Sequence, residues 1–340
     1  MKAIFDARQR AHDPKHFMAN GRPSANPEQP QRIEELSRGA SAAGCGFIAP
    51  TDHGAGPIAE IHSPEYLAFL ETIHDRWSRT EGASDEVIPN IHPDRRTASY
   101  PSSAAGQAGF HQADTSCPIA AGTWQSAYWS AQSALSAVDT VLAGERTVYA
   151  LCRPPGHHAF GDLAGGFCFL NNSAIAAQAL LRAGRRPAIL DVDVHHGNGT
   201  QGIFYQRRDV LTVSIHADPA RFYPFFWGHA AERGEGEGMG YNFNLPLPRG
   251  TVTEDYLVAL DAALARIRAF GADVLVLALG LDAHENDPFH GFKVTTPGFA
   301  QIAARIAGLD LPSVIVQEGG YLSADLGDNL TSFLKGYEAG

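Results

Sequence analysis

Ala188-Ile189-Leu190-Asp191-Val192-Asp193-Val194-His195-His196-Gly197-Asn198-Gly199-Thr200 decides the reading of this 340-residue chain. An apolar run enters the stretch, two carboxylates and two imidazoles follow, and a glycine-bracketed turn closes it. Alternate side chains of an extended strand share a face. Asp191, Asp193 and His195 are therefore expected to converge on one spot. Burying such groups together is costly unless a cation sits among them. The stretch predicts a metal site at the C-terminal end of a strand.

Working outward, apolar runs at 147–151, 188–193, 210–215, 273–279 and 313–317 read as strands, and residues 1–6 as a short first strand. Helical patterns fill 28–43, 123–142, 172–183, 253–270, 296–307 and 326–335. Ser63-Pro64 opens a further helix, with Ser at the N-cap and Pro at the first position. The strands are continuously apolar rather than alternating, as in parallel strands covered on both faces. The expectation is an α/β fold, a single domain spanning 1–340. Residues 12–30 read as a long irregular surface loop. Residues 80–122, poor in aliphatic runs, read as a long insertion, and ordered loops of such length tend to serve function or form interfaces.

Ligands of open α/β sheets bind beyond the carboxyl ends of the strands. Each of these strand ends carries polar groups: Arg153-Pro154-Pro155-Gly156-His157-His158, the Asp/His stretch, His216-Ala217-Asp218, Gly280-Leu281-Asp282-Ala283-His284 and Glu318-Gly319-Gly320-Tyr321. Asp193 and His195 offer an oxygen and a nitrogen ligand. Asp282, nearer its strand end than His284, Glu285 or Asp287, is the preferred third. Two carboxylates and one imidazole with open positions form a catalytic pattern, with zinc the default and Fe²⁺ or Co²⁺ compatible. His157 and His158 suit acid–base work at neutral pH. Tyr321 suits stabilisation of a developing oxyanion.

Composition excludes several classes. Lys and Arg number 26 against 37 Asp and Glu, a net charge of −11, which opposes nucleic-acid binding. No apolar run approaches membrane-spanning length, so neither a membrane nor a nucleic acid is expected as partner. The N-terminus has no signal-peptide pattern, and a cytoplasmic location is expected. Cys45, Cys117, Cys152 and Cys168 lack the C-x-x-C spacing of a thiolate metal site.

Together these motifs, with Gly165-Gly166-Phe167-Cys168-Phe169-Leu170-Asn171-Asn172 and His62-Ser63-Pro64-Glu65-Tyr66, resemble the arginase–deacetylase superfamily. The likeness is to histone deacetylase-like amidohydrolases, in particular bacterial acetylpolyamine amidohydrolases, and covers nearly the whole chain in order. It implies an eight-stranded parallel sheet with helices on both faces, and zinc held by Asp193, His195 and Asp282. It implies His158 as general base toward zinc-bound water. His157, held by Asp191, would supply positive charge or protonate the departing amine, and Tyr321 would polarise the carbonyl. Phe167 and Tyr223 (or Phe222) would wall a tunnel beside Gly166. A structural potassium ion would sit near Asp191, Asp193, His195 and Ser214, and a second near Phe204, Val210 and Tyr241.

Two departures from the family pattern bear on the site. Asn198 stands where many deacetylases have an Asp behind the general base, so His158 is expected to be the less basic histidine. Ala105 stands where polyamine-type members can carry an acid for the distal ammonium, leaving Asp114 as the nearest carboxylate for substrate. Polyamine-type members use a long insertion to build a dimer, and residues 80–122 suit that role, so a homodimer is expected. The implied reaction is removal of acetyl from small acetylated amines, acetylpolyamines first. The alternatives are acetyl-lysine peptides or proteins, another small amide, an arginase-like ureohydrolase, or a catalytically silent small-amine binding protein.

Overall fold

A computed structural model describes residues 1–96 and 99–340. Its core is an eight-stranded sheet, parallel at every pairing. In chain order the sheet strands are β1 (Lys2–Ile4), β4 (Gly46–Ile48), β5 (Thr147–Ala150), β6 (Pro187–Asp191), β7 (Leu211–Ala217), β8 (Asn242–Leu247), β9 (Val274–Leu279) and β10 (Ser313–Gln317). They lie in the order β4-β1-β5-β10-β9-β6-β7-β8. A separate antiparallel hairpin pairs β2 (His16–Ala19) with β3 (Arg22–Ala25).

Helices α1 (Gln31–Ala42), α8 (Thr253–Phe270), α9 (Thr296–Ala307) and α10 (Leu326–Ala339) cover one face. Helices α5 (Thr123–Leu142) and α6 (Asn172–Arg182) cover the other. The remaining helices are α2 (Gly56–Ala59), α3 (Pro64–Trp77), α4 (Ala104–His111) and α7 (Asn198–Phe204). Two covered faces explain the unbroken apolar runs, because β6, β7, β9 and β10 are buried at every residue. The Ser63 hydroxyl accepts from Tyr66 N at 3.2 Å and caps α3. Gly271 ends α8 in the left-handed region, φ 72°, which favours glycine.

Three expectations are corrected. Residues 12–30 lie largely at the surface but are not irregular: they hold the β2–β3 hairpin, turned at Asn20-Gly21 in positive φ, and bury His12, Asn26 and Glu28. Their polar composition hid this, because Glu28 is buried as an ion-pair partner rather than as an apolar residue. Strand β6 stops at Asp191, so Asp193 and His195 belong to the following bend and not to one strand face. The insertion is partly helical, through α4. Thr97 and Ala98 within it lie outside the described residues. Among the described residues no helix is long and apolar enough to cross a membrane.

Candidate active site

The loops after β5, β6, β9 and β10 gather at one end of the sheet. Asp193, His195 and Asp282 meet there, buried, each offering a ligand atom within 4.8 Å of the others. His195 Nδ1 lies 3.1 Å from both Asp193 Oδ1 and Asp282 Oδ2. Glycine is required alongside. A Cβ at Gly319 would stand 2.3 Å from Asp282 Oδ2 and 2.5 Å from Asp193 Oδ2.

The electrostatics are those of crowded donors. Burial and the Asp193 charge push Asp282 up to about 7. Burial alone would depress His195, but the two carboxylates outweigh it and push the imidazole up to about 9. Two carboxylates and an imidazole, buried and convergent, fit a divalent cation. His157, Cys168 and Glu318 also offer ligand atoms within 4.8 Å of one another, but fit poorly. The Glu318 carboxylate already accepts from Gly156 N, His157 N and Ser173 Oγ at 2.6, 3.0 and 2.9 Å, and burial pushes the Cys168 thiol well up.

The two histidines beside the cluster are tuned in opposite directions. His157 Nδ1 donates to Asp191 Oδ2 at 2.8 Å. Burial opposes its charge, yet Asp191 and then Asp193 hold it well above the usual imidazole range. His158 Nδ1 donates to Asn198 Oδ1 at 2.6 Å, which leaves Nε2 as the acceptor. Burial and the neighbouring His157 hold His158 well below the usual range. An amide oxygen cannot offset that burial as a carboxylate does for His157.

A cavity of about 330 Å³ opens onto His158, His195 and Tyr321. Phe167 adopts φ 67°, a left-handed conformation that costs a bulky residue of order 1 kcal/mol or more. Its N–H donates to Ser116 O at 3.0 Å. Its ring stands 5.8 Å from Tyr321 and 6.4 Å from Phe289. Opposite, Phe222 stacks on His195 at 5.0 Å and Tyr223 meets His158 edge-on at 4.9 Å. Tyr321 is buried, its N–H donating to Asp287 Oδ2 at 3.0 Å. Asp114 sits at the Tyr223 side of the cavity, and Ser214 pairs in register with Asp191 across β6 and β7. Asp191 and Ser214 line a small internal cavity that Asp193 and His195 do not.

Sequence reasoning missed several parts of this site. Phe289 forms part of the wall from a loop with no periodic signal. Phe17 reaches the mouth from the hairpin, 5.7 Å from Phe167. Beneath Tyr321 lies a fully buried ion cluster. Arg32 donates to Glu28 Oε1 at 2.6 Å, to Gly320 O at 2.6 Å and to Glu318 O at 2.7 Å. Arg153 donates to the same Glu28 oxygen at 2.9 Å. Arg32 thus ties helix α1 to the backbone that carries Tyr321.

Comparisons with known proteins agree with this geometry. Residues 26–337 match the family model described as the histone deacetylase domain. The acetylpolyamine amidohydrolase of Burkholderia pseudomallei is 48% identical over 340 residues, covering 100% of this chain and 99% of that one. Acetylpolyamine amidohydrolase 1 of Pseudomonas aeruginosa is 44% identical over 343 residues, covering 99% of each. The crystal structure of the Burkholderia pseudomallei enzyme superposes with a TM-score of 0.96 over 100% of this chain and 99% of its own. The HDA15 HD domain superposes at 0.81 with 27% identity, covering 98% and 87%. The chain belongs to the histone deacetylase domain family, whose members are metal-dependent deacetylases.

Proposed function

We propose that this chain removes the acetyl group from small acetylated amines, acetylpolyamines foremost. The carrying observation is the buried Asp193–His195–Asp282 cluster, whose His195 lines an aromatic-walled cavity, flanked by two histidines shifted in opposite directions from the usual imidazole range. The names of the two full-length relatives supply the substrate class.

Those three residues would hold one divalent ion, to which we assign zinc, with Fe²⁺ and Co²⁺ compatible with the same donors. When bound, the ion supplies Lewis acidity toward water and the amide carbonyl. His158 Nε2, neutral and without a hydrogen-bond partner among the described residues, takes the proton of the attacking water. His157, protonated against Asp191, supplies positive charge beside the reacting carbon or delivers a proton to the departing amine. Tyr321 donates its hydroxyl proton in a hydrogen bond to the carbonyl oxygen as that oxygen gains charge. Phe167, Tyr223 and Phe222 exclude water from the chain of the substrate. The products are acetate and a free amine.

Potassium is assigned to the neighbourhood of Asp191, Asp193, His195 and Ser214. A homodimer is assigned through residues 80–122, where Ile91 is 64% exposed beside a groove lined by Pro93, Pro101 and Phe110. A zinc-loaded preparation assayed on acetylputrescine, acetylcadaverine, acetylspermidine and an acetyl-lysine peptide tests the reading. The small acetylated amines should show the higher kcat/KM. Turnover of the peptide alone would move the assignment to protein substrates, and no turnover of any of them would favour a binding protein.

A further inference from the structure

Asp114 is the nearest acid after Ala105 in the sequence, and its carboxylate is engaged in the wall. Oδ2 accepts the Tyr223 hydroxyl at 2.6 Å and Gly166 N–H at 3.2 Å. Oδ1 accepts Ser116 N–H at 2.7 Å. The contacts join three separate segments. Ser116 N belongs to the insertion and Gly166 N to the loop that carries Phe167. The Tyr223 hydroxyl comes from the loop after β7. The fit is tight: a Cβ on Gly166 would stand 2.7 Å from the Tyr223 hydroxyl. Ser116 O accepts from Phe167 N at 3.0 Å, so the wall segment is held from both directions. No carboxylate lines the cavity among the described residues, and Arg221 is the charged side chain at its exposed rim.

We propose that Asp114 and Tyr223 form a specificity-determining clamp. It fixes the width of the tunnel and keeps the Asp114 charge turned into the wall. Selection then acts on the slenderness of the acylated chain, while a distal ammonium remains in solvent at the rim. Tyr223 is the residue that makes this so, because a phenylalanine there would leave Oδ2 without its hydroxyl donor. Asp114 acts here as a positioning residue. The inference deepens the deacetylase reading and rests on it.

The test compares N-acetylputrescine, whose far end is a cation, with N-butylacetamide, a neutral chain of similar length. Both are assayed on metal-loaded wild type, Asp114→Asn, Tyr223→Phe and the double variant. The clamp predicts that Asp114→Asn raises KM for both chains together, their KM ratio staying within about threefold. Tyr223→Phe, by releasing a carboxylate oxygen, should lower KM for acetylputrescine relative to the neutral chain by about tenfold or more, the scale of a charge-assisted hydrogen bond. On the neutral chain the double variant should be no worse than the worse single, as for two residues of one unit. A rise of about tenfold or more confined to acetylputrescine in Asp114→Asn would make Asp114 an ammonium ligand and overturn the clamp. Additive single effects on the neutral chain, or no effect of either substitution, would overturn it as well. Calorimetric binding of the two acetamides gives the same ratios without turnover. Wild type that binds both and hydrolyses neither would therefore refute the deacetylase reading while still deciding the clamp.

Discussion

Replacing Gly166 by alanine perturbs the site at one atom. The added Cβ would fall 2.5 Å from His158 Cδ2 and 2.7 Å from the Tyr223 hydroxyl, in a backbone at φ +49°. The left-handed conformation costs a residue with a Cβ about 1–2 kcal/mol. Ordinary contact begins at 3.4 Å, so the imidazole must retreat by about 0.9 Å. His158 cannot swing away freely, because Asn198 holds its Nδ1 at 2.6 Å. A misplacement near 1 Å costs a reaction about 10²-fold. Gly166→Ala should therefore lower kcat/KM on acetylputrescine about 100-fold, with a melting temperature lower by a few degrees. Steady-state kinetics and thermal unfolding on one preparation separate the two effects. Activity within threefold of wild type would refute the placement of His158 as the base beside Gly166.

Tyr321→Phe removes the donor to the developing oxyanion, and should lower kcat about 10²–10³-fold with KM nearly unchanged; steady-state kinetics decide it. The pH profile of kcat/KM should be a broad bell. His158, held below the usual range, stays neutral and able to accept a proton into mildly acidic solution, so the acid limb lies below pH 6.5. His157, held above it, keeps its proton through neutrality, so the basic limb lies above pH 6.5. Asp191→Asn removes the charge that raises His157 and should move the basic limb down by about one unit or more, read from the same profile. Glu28→Gln leaves Arg32 and Arg153 fully buried without their counter-charge. It should lower unfolding stability by about 3–5 kcal/mol, measured by urea denaturation.

The architecture was legible because the inner strands are buried on both faces and so are apolar throughout, from Ala188-Ile189-Leu190 to Val274-Leu275-Val276. The edges were not. Strand β4 is exposed at each of its three residues, and β8 reads Asn242-Phe243-Asn244 because two buried asparagines serve a polar network around Gln201. Asp193, His195 and Asp282 were picked out by their place after strands, a rule of chain direction that needs no tertiary detail. The division of labour between Asp191 and Asp193 was not visible in periodicity, since β6 ends between them. Phe289, Arg32 and the hairpin escaped because their roles depend on contacts between distant segments. Arg32 reaches Glu318 O across 286 positions, and nothing in its helix marks it. The same holds for Asp114: its hydrogen bonds to Gly166 and Tyr223 span 52 and 109 positions, and nothing in its own segment marks them.

The most direct test of the central claim is a metal titration of hydrolysis. Protein stripped by chelation should lose acetylputrescine hydrolysis, and Zn²⁺ should restore it with saturation at about one equivalent per chain, as a single cluster of three donors requires. Asp282→Ala should neither bind that equivalent tightly nor regain activity. Hydrolysis that survives stripping, or an Asp282→Ala protein that is restored like wild type, would contradict the account.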